Sequence, residues 1–500
     1  MRRVLDVVRP ELGGFVAIAL VSGLTCGISR GIGIDEGTAD AGASGEVAEA
    51  VAEANEATDE ATGEGPGPAP VAVNVAEITP APADASAPTA KTYNVILITV
   101  DSLRADLGFT GYPRPVTPNI DALAARSTVF ENAYSLASFT MKSLGPMLIG
   151  RYASETFRDY EHYTLFYPAN VFVAERVTAH GGRTCGAATH RYFGLRKGIE
   201  QGFDVWDTSA IPPNATDAET RVTSDKLTDV AIGLLNSPRA ADIPTNPNGT
   251  PRAHRPRQGP AAGRFFAWFH YLDPHLPYVR HEGAPKLEPH PDIPAERAAY
   301  DGEVWFTDKH VGRLLDHVAA QPWASETAII LTADHGEAFG EHGQRGHGRE
   351  LWQPLVHVPL LLYIPDVPPS RVRVKRSLID IVPTILDLMG LPGDQKLHGK
   401  SLVTDAVPPR PTHLEERDVY IDMPAGPYNE LRRAFITGPA PGLKLIDMGK
   451  GRAGYELFDL ASDPGETRSL RSDTARLDAV VAAMARYRSK LEERAHIDPR

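Results

Sequence analysis

Three stretches of this 500-residue chain end an apolar run in side chains able to bind a cation or move a proton. Residues 94–100 give way to Asp101-Ser102, residues 328–333 to Asp334-His335-Gly336-Glu337, and residues 265–272 to Asp273-Pro274-His275. Carboxylates and imidazoles are donors that hold divalent metal ions, and both serve as general acids or bases. Taken alone, Asp101 reads as a capping or turn residue and Asp334-His335 as a polar turn after a strand. Their weight comes from following the same kind of element three times.

That element is a buried strand. Asn94-Val-Ile-Leu-Ile-Thr-Val100 is nearly all apolar and β-branched, as a parallel strand covered on both faces requires. Similar runs recur at 265–272, 328–333 and 359–364. Helical patterns lie between them at 118–126, with Thr117 as cap and Pro118 in the first turn, and at 295–320 and 379–389. The alternation predicts a mostly parallel sheet with helices on both faces. In such sheets ligands bind beyond the carboxyl ends of the strands, so the three polar stretches are expected at one edge. Beyond about residue 410, short strands at 418–422, 432–437 and 443–447 and a terminal helix at 475–495 predict a smaller α+β segment. Residues 236–263, rich in Pro, Arg, Asn and Gly, read as a surface insertion.

The net charge of −13 is misleading about partners. Residues 31–90 hold twelve Asp and Glu and no Lys or Arg, and residues 1–30 carry +2, which leaves −3 over 91–500. The body of the protein is near neutral, without the basic stripe that nucleic acid needs. Residues 31–91 lack aromatic residues and any sustained apolar period, the composition of a disordered linker. Before them, Arg2, Arg3 and Arg9 precede an apolar run at 12–28. The charges put the N-terminus inside and the rest of the chain outside the cytoplasm, whether the run is a membrane anchor or a cleaved signal. Two cysteines, Cys26 in the N-terminal apolar run and Cys185 in an expected buried strand, exclude a disulfide framework.

The ordered motifs resemble the sulfatase family of the alkaline phosphatase superfamily. Ile98-Thr-Val-Asp101-Ser-Leu-Arg104-Ala-Asp106, then Gly111-Tyr112 and Thr117-Pro-Asn-Ile-Asp121, are similar to the opening of that domain. Leu331-Thr-Ala-Asp334-His335-Gly-Glu337 resembles its second metal-binding segment, Val358-Pro-Leu the strand that follows, and 456–466 its closing motif. The likeness covers roughly 93–470 in order and spacing. It implies an alkaline-phosphatase-like α/β sandwich, with 93–405 as catalytic domain and 410–500 as C-terminal subdomain.

One departure redirects the chemistry. Family sulfatases oxidise the Cys of Cys-x-Pro-x-Arg to formylglycine about ten residues before a Gly-Arg pair. Counting back from Gly150-Arg151 gives Thr140, in Phe139-Thr140-Met141-Lys142-Ser143, with Leu144 where the Arg belongs. This is similar to the Thr-nucleophile branch, which includes phosphoethanolamine and phosphoglycerol transferases of the bacterial envelope. Thr140 precedes a helix at 141–148, where backbone N–H groups favour an anion, although a Thr there is also a natural cap. Asp101, Asp334, His335 and Thr140 could hold one divalent ion, with Thr140 as both ligand and nucleophile and Ser143 as the second choice. Ser102 replaces the second Asp of calcium sulfatases and His335 their Asn, so zinc or manganese is favoured over calcium.

His275 matches a family position that contacts the substrate or leaving group, and His347 lies twelve residues beyond His335, as a corresponding histidine does in envelope phosphotransferases. Each could stabilise transferring oxygens or protonate an alkoxide, or be a loop histidine bonded to backbone. His342 and His270 read as ordinary loop or core residues. His190 and Arg191 fall near a substrate segment of the family but out of step with it. The expectation is a metal-dependent hydrolase or transferase acting on a small-molecule or envelope phosphate or sulfate ester. It is expected outside the cytoplasm and membrane-anchored through its N-terminal segment. Two other expectations stand beside it: sulfate-ester hydrolysis without formylglycine, and an inactive binding protein on the same scaffold.

Overall fold

The computed structural model describes residues 91–159, 164–194, 197–213, 223–236, 261–291 and 293–494. The N-terminal apolar run, the acidic linker and most of the insertion at 236–263 lie outside the described residues. No helix of the described residues is long and apolar enough to cross a membrane.

The main sheet takes its strands from the whole length of the domain. They are β1 (Asn94–Val100), β2 (Thr128–Tyr134), β3 (Arg183–Ala188), β4 (Val205–Asp207), β5 (Phe265–Tyr271) and β6 (Thr327–Ala333). After a small hairpin of β7 (Ala338–Phe339) and β8 (Arg345–Gly346) come β9 (Leu360–Tyr363) and β10 (Ser370–Ser377). The spatial order is β10-β2-β9-β6-β1-β5-β3-β4. Every neighbouring pair is parallel except the two that involve β9. β1, β5 and β6, at the centre, are buried along their whole length, as their unbroken apolar runs require.

Helices α1 (Pro118–Ala124), α4 (Ser224–Leu235) and α5 (Arg297–Ala319) pack together. So do α2 (Thr140–Ile149), α3 (Val173–Ala179) and α6 (Ile381–Leu388), giving the two helical layers of the sandwich. The C-terminal segment is an antiparallel meander of β11 (Val419–Met423), β12 (Arg432–Thr437), β13 (Leu443–Asp447) and β14 (Tyr455–Asp459), followed by α7 (Thr474–Arg488).

The mostly parallel sheet and the smaller C-terminal sheet agree with expectation. Three details differ. The run at 359–364 is a buried strand but an antiparallel one. An apolar run reports burial on both faces, which does not depend on direction, and the α-helix between β6 and β9, Gln353–Val356, is a single turn, too short for a parallel crossover. Strand β3 lacks a strong apolar signal because it carries small residues where large ones face it: a Cβ on Gly186 would lie 2.7 Å from the Trp206 ring. The third is β10, Ser-Arg-Val-Arg-Val-Lys-Arg-Ser, an edge strand whose half-exposed, alternating pattern hides among loop-like charges.

Candidate active site

Strand register builds the centre of the site. Val100 pairs with Ala333 across β1 and β6, so the next residues, Asp101 and Asp334, leave the sheet side by side. Both are buried, Asp101 at 1% exposure and Asp334 at 0%. Ser102 follows in the left-handed region, with φ of 58°, a strained backbone for a residue with a Cβ. That conformation aims its N–H at Asp334 Oδ1 (3.2 Å) and lets its hydroxyl donate to Asp101 Oδ1 (2.9 Å). The Tyr300 hydroxyl, from α5, fixes the same turn by donating to the Ser102 carbonyl at 2.9 Å.

Helix α2 supplies the hydroxyl. Thr140 is the first helical residue rather than the residue before the helix; Phe139 occupies the cap position with extended backbone, and no side chain makes a cap bond. The Thr140 side chain is therefore not a cap. Its Oγ1 lies 3.4 Å from Asp101 Oδ2 and 3.2 Å from His335 Nε2. All ten residues of α2 are buried, and Gly150 ends the helix at φ of 78°, its N–H closing on the Pro146 carbonyl. Ser143 faces elsewhere: its hydroxyl donates to the Asp334 carbonyl at 2.7 Å.

His335 has its tautomer set by its neighbour. Nδ1 lies 3.0 Å from the Gly336 carbonyl, which can only accept, so Nδ1 carries the proton and Nε2 presents a lone pair. That lone pair faces Asp334 Oδ2 at 3.3 Å and Asp101 Oδ1 at 3.8 Å. Burial, then the neighbouring His347, bring the His335 pKa down to about 3, which keeps the ring neutral. Asp334 Oδ2 has no hydrogen-bond partner among the described residues. Burial and the charge of Asp101 push the Asp334 pKa far up. Burial opposes the charge on Asp101 as well, but the contact with His270 and the nearby His275 and His335 hold it well below the usual range.

Two neighbouring carboxylates, one orphaned oxygen, a lone pair and a hydroxyl lie together at this edge. This donor set fits a divalent cation, whose charge would remove the repulsion between the two acids. Ligand atoms of Asp101, Asp334 and His335 all lie within 4.8 Å of one another, as a shared ion requires, and among the described residues no other such group occurs.

A row of imidazoles leads away from that group. The His347 ring lies 4.3 Å from that of His335 and 4.8 Å from that of His275, which in turn is 6.1 Å from that of His190. His347 Nδ1 donates to the buried Glu337 carboxylate at 3.1 Å. Burial alone would lower the His347 pKa; the Glu337 charge outweighs it and the net shift is upward. Burial lowers that of His275.

Several residues fall differently from their sequence reading. Asp273, expected at the same edge, turns away: its oxygens accept from the N–H groups of Thr223 (3.1 Å) and Ser224 (2.9 Å) at the start of α4. His270 is not an ordinary core residue, since its Nε2 lies 3.4 Å from Asp101 Oδ2. A histidine in the otherwise apolar and aromatic Phe-Phe-Ala-Trp-Phe-His-Tyr strand was the available signal. His190, left out of step by spacing, also reaches this edge. His342 stacks on Trp352 with ring centres 3.9 Å apart, outside the cluster. Lys142 ties α2 to the β11–β12 connection, its Nζ donating to the Pro424 carbonyl (2.9 Å) and to Asn429 Oδ1.

Comparison with known proteins agrees with this geometry. Residues 93–391, more than half of the chain, match the family model described as Sulfatase. Arylsulfatase K of Bos taurus is 25% identical over 451 residues, covering 79% of this chain and 82% of that protein. Iduronate 2-sulfatase of Homo sapiens is 25% identical over 334 residues, covering 55% and 60% respectively. Among solved structures, BT1596, a 2-O GAG sulfatase, superposes with a TM-score of 0.61 at 16% identity, covering 80% of this chain and 92% of that one. The phosphonate monoester hydrolase SpPMH from Silicibacter pomeroyi gives 0.54 at 20% identity, covering 80% and 96%. At such identities the likeness to solved structures is one of fold.

Proposed function

The chain belongs to the sulfatase family, and on that premise we propose that it cleaves phosphate esters, diesters above all, through a covalent intermediate on Thr140. The family's enzymes are metal-dependent hydrolases. The observation that carries the proposal is Thr140 Oγ1 beside Asp101 and His335, at the N-terminus of a buried helix. Among the described residues the one cysteine is Cys185, buried in β3.

Asp101, Thr140, Asp334 and His335 would hold one divalent ion, zinc or manganese by donor type, which would lower the hydroxyl pKa and offset charge on the transferring oxygens. Thr140 Oγ attacks phosphorus in line as the bond to the leaving oxygen breaks, and Asp101 Oδ2, the carboxylate oxygen 3.4 Å away, takes its proton. The backbone N–H groups at the start of α2 face the anion. His347, held by Glu337, protonates the departing alkoxide, and His275 beside it stabilises the transferring oxygens. Water then attacks phosphorus and frees Thr140, releasing a phosphate monoester from a diester substrate, or an acceptor alcohol takes the phosphoryl ester in a transfer.

Phosphorus is preferred over sulfur for a chemical reason. The hydrated formylglycine of family sulfatases has a second hydroxyl whose proton loss expels sulfate. Thr140 has one oxygen, so a sulfated Thr140 lacks that elimination route, whereas a phosphorylated one stays open to attack at phosphorus. A second reading, sulfate-ester hydrolysis without formylglycine, is favoured by the sulfatase names of the relatives. Comparing kcat/KM for matched nitrophenyl sulfate, phosphate monoester and phosphodiester separates the two. The diester should lead, and a clear lead for sulfate would refute the proposal. No turnover of any of them with the metal bound would favour the inactive binding protein.

The substrate is a small-molecule or envelope ester met outside the cytoplasm, on the support of Arg2, Arg3 and Arg9 before the apolar run at 12–28. A reporter fused after residue 90 should be active only when exported, and cytoplasmic activity would sink this placement.

A further inference from the structure

Behind the Asp101 carboxylate runs a chain of polar groups that the proposed chemistry does not use. His270 on β5 is the register partner of Thr99 on β1, each the last residue but one of its strand. Both side chains are fully buried. His270 Nδ1 lies 2.8 Å from Thr99 Oγ1, and the indole Nε1–H of Trp268 donates to the same Thr99 oxygen at 2.9 Å. On the other side of the ring, Nε2 faces Asp101 Oδ2 at 3.4 Å and makes no hydrogen bond to any of the described residues. The Phe193 ring packs edge-on against the imidazole, with centres 4.9 Å apart, and limits its rotation.

The donors decide the direction of this chain. An indole N–H can only donate, so Thr99 accepts from Trp268 and has its one hydroxyl proton left to give. The acceptor in reach is His270 Nδ1. A neutral imidazole accepting at Nδ1 carries its proton on Nε2, which then donates toward Asp101. The other tautomer would strand the Thr99 hydroxyl proton and set the Nε2 lone pair against carboxylate lone pairs, two faults among fully buried side chains. Asp101 is thus met at both oxygens, Oδ1 by a hydrogen bond from the Ser102 hydroxyl and Oδ2 by His270 Nε2 at 3.4 Å.

We propose that Trp268, Thr99 and His270 form a one-way hydrogen-bond relay that orients the Asp101 carboxylate as a metal ligand, making His270 a positioning residue. The inference rests on the reading of Asp101 as a ligand. Outer-shell partners of this kind typically change metal affinity by about 10–100-fold when removed.

The test uses the full chain with Zn²⁺ as probe and a competing chelator, without substrate. His270→Phe, which keeps a ring in the cavity, should weaken zinc by about 10–100-fold. Thr99→Val, nearly isosteric, should weaken it by a smaller factor in the same direction. Side-chain ¹⁵N spectra of the metal-free protein, with the resonance assigned by its loss in His270→Phe, should show His270 protonated at Nε2. The Thr99→Val protein should show a mixture of tautomers. Unchanged zinc affinity in a folded His270→Phe protein, or a His270 protonated at Nδ1, overturns the relay and leaves the proposed hydrolysis standing. If His270→Phe fails to fold, Thr99→Val decides by the same readouts. If the unaltered protein takes up no zinc, the metal-dependent reading falls, and the tautomer spectra alone uphold or overturn the relay.

Discussion

Thr140 Oγ1 sits 3.2 Å from His335 Nε2, although 195 positions separate the two residues in the chain. The contact joins the first turn of α2 to the end of β6, and the Gly336 carbonyl, by taking the Nδ1 proton, leaves Nε2 as the lone pair in it. A hydroxyl and a neutral imidazole held this way, with the orphaned oxygen of Asp334 alongside, are donors of a candidate cation site.

The purified protein should therefore carry about one zinc or manganese ion per chain, the stoichiometry of a single four-donor site. Asp334→Ala removes the orphaned oxygen and should strip the ion. Atomic-emission analysis of both proteins, never exposed to chelator, checks this. Full occupancy in the variant would put the metal elsewhere.

The raised pKa of His347 sets a sign for the pH dependence. An acid works while protonated, so activity is present below that pKa and falls as pH rises through it. Glu337→Gln removes the charge that raises it and should move the alkaline limb to lower pH. The loss should be greatest for esters of poorly acidic alcohols, which need protonation most. A limb that stays in place in the kcat/KM profile would rule out His347 as the acid.

Lys142 gives a second pH signature, in stability rather than rate. Burial, then Arg158, brings its pKa down from 10.5 to about 7. Between those values the unfolded chain binds more protons than the folded one, so stability rises with pH across the window. Lys142→Met lacks the group and should lose that slope. Urea midpoints of the two proteins, followed from about pH 7 to 10, should diverge; parallel curves would mean that Lys142 titrates normally.

The central strands and the long helices could be read from the chain because β1, β5 and β6 are buried on both faces and α5 has a clear period. The strand-end acids were visible for the same reason, since a charge after seven buried residues is conspicuous. What escaped was set by packing. The buried strand expected at Cys185 is β3, but its extent is masked by small residues because Trp206 fills the space beside Gly186. Asp273 is diverted to α4 by a helix start at Thr223 that nothing in its own neighbourhood announces. His270 was passed over because its meaning depends on register with Thr99, a relation between strands that neither strand carries alone.

The most direct test of Thr140 as nucleophile is a mass measurement. Enzyme quenched during turnover of a nitrophenyl phosphodiester should yield a peptide spanning Thr140 that is heavier by the phosphoryl ester, with fragment ions placing the group on Thr140. The Thr140→Ala protein should lose the adduct and at least about 10³-fold in rate, as loss of an activated nucleophile requires. An adduct on Ser143, or a Thr140→Ala enzyme that keeps its rate, would contradict the assignment.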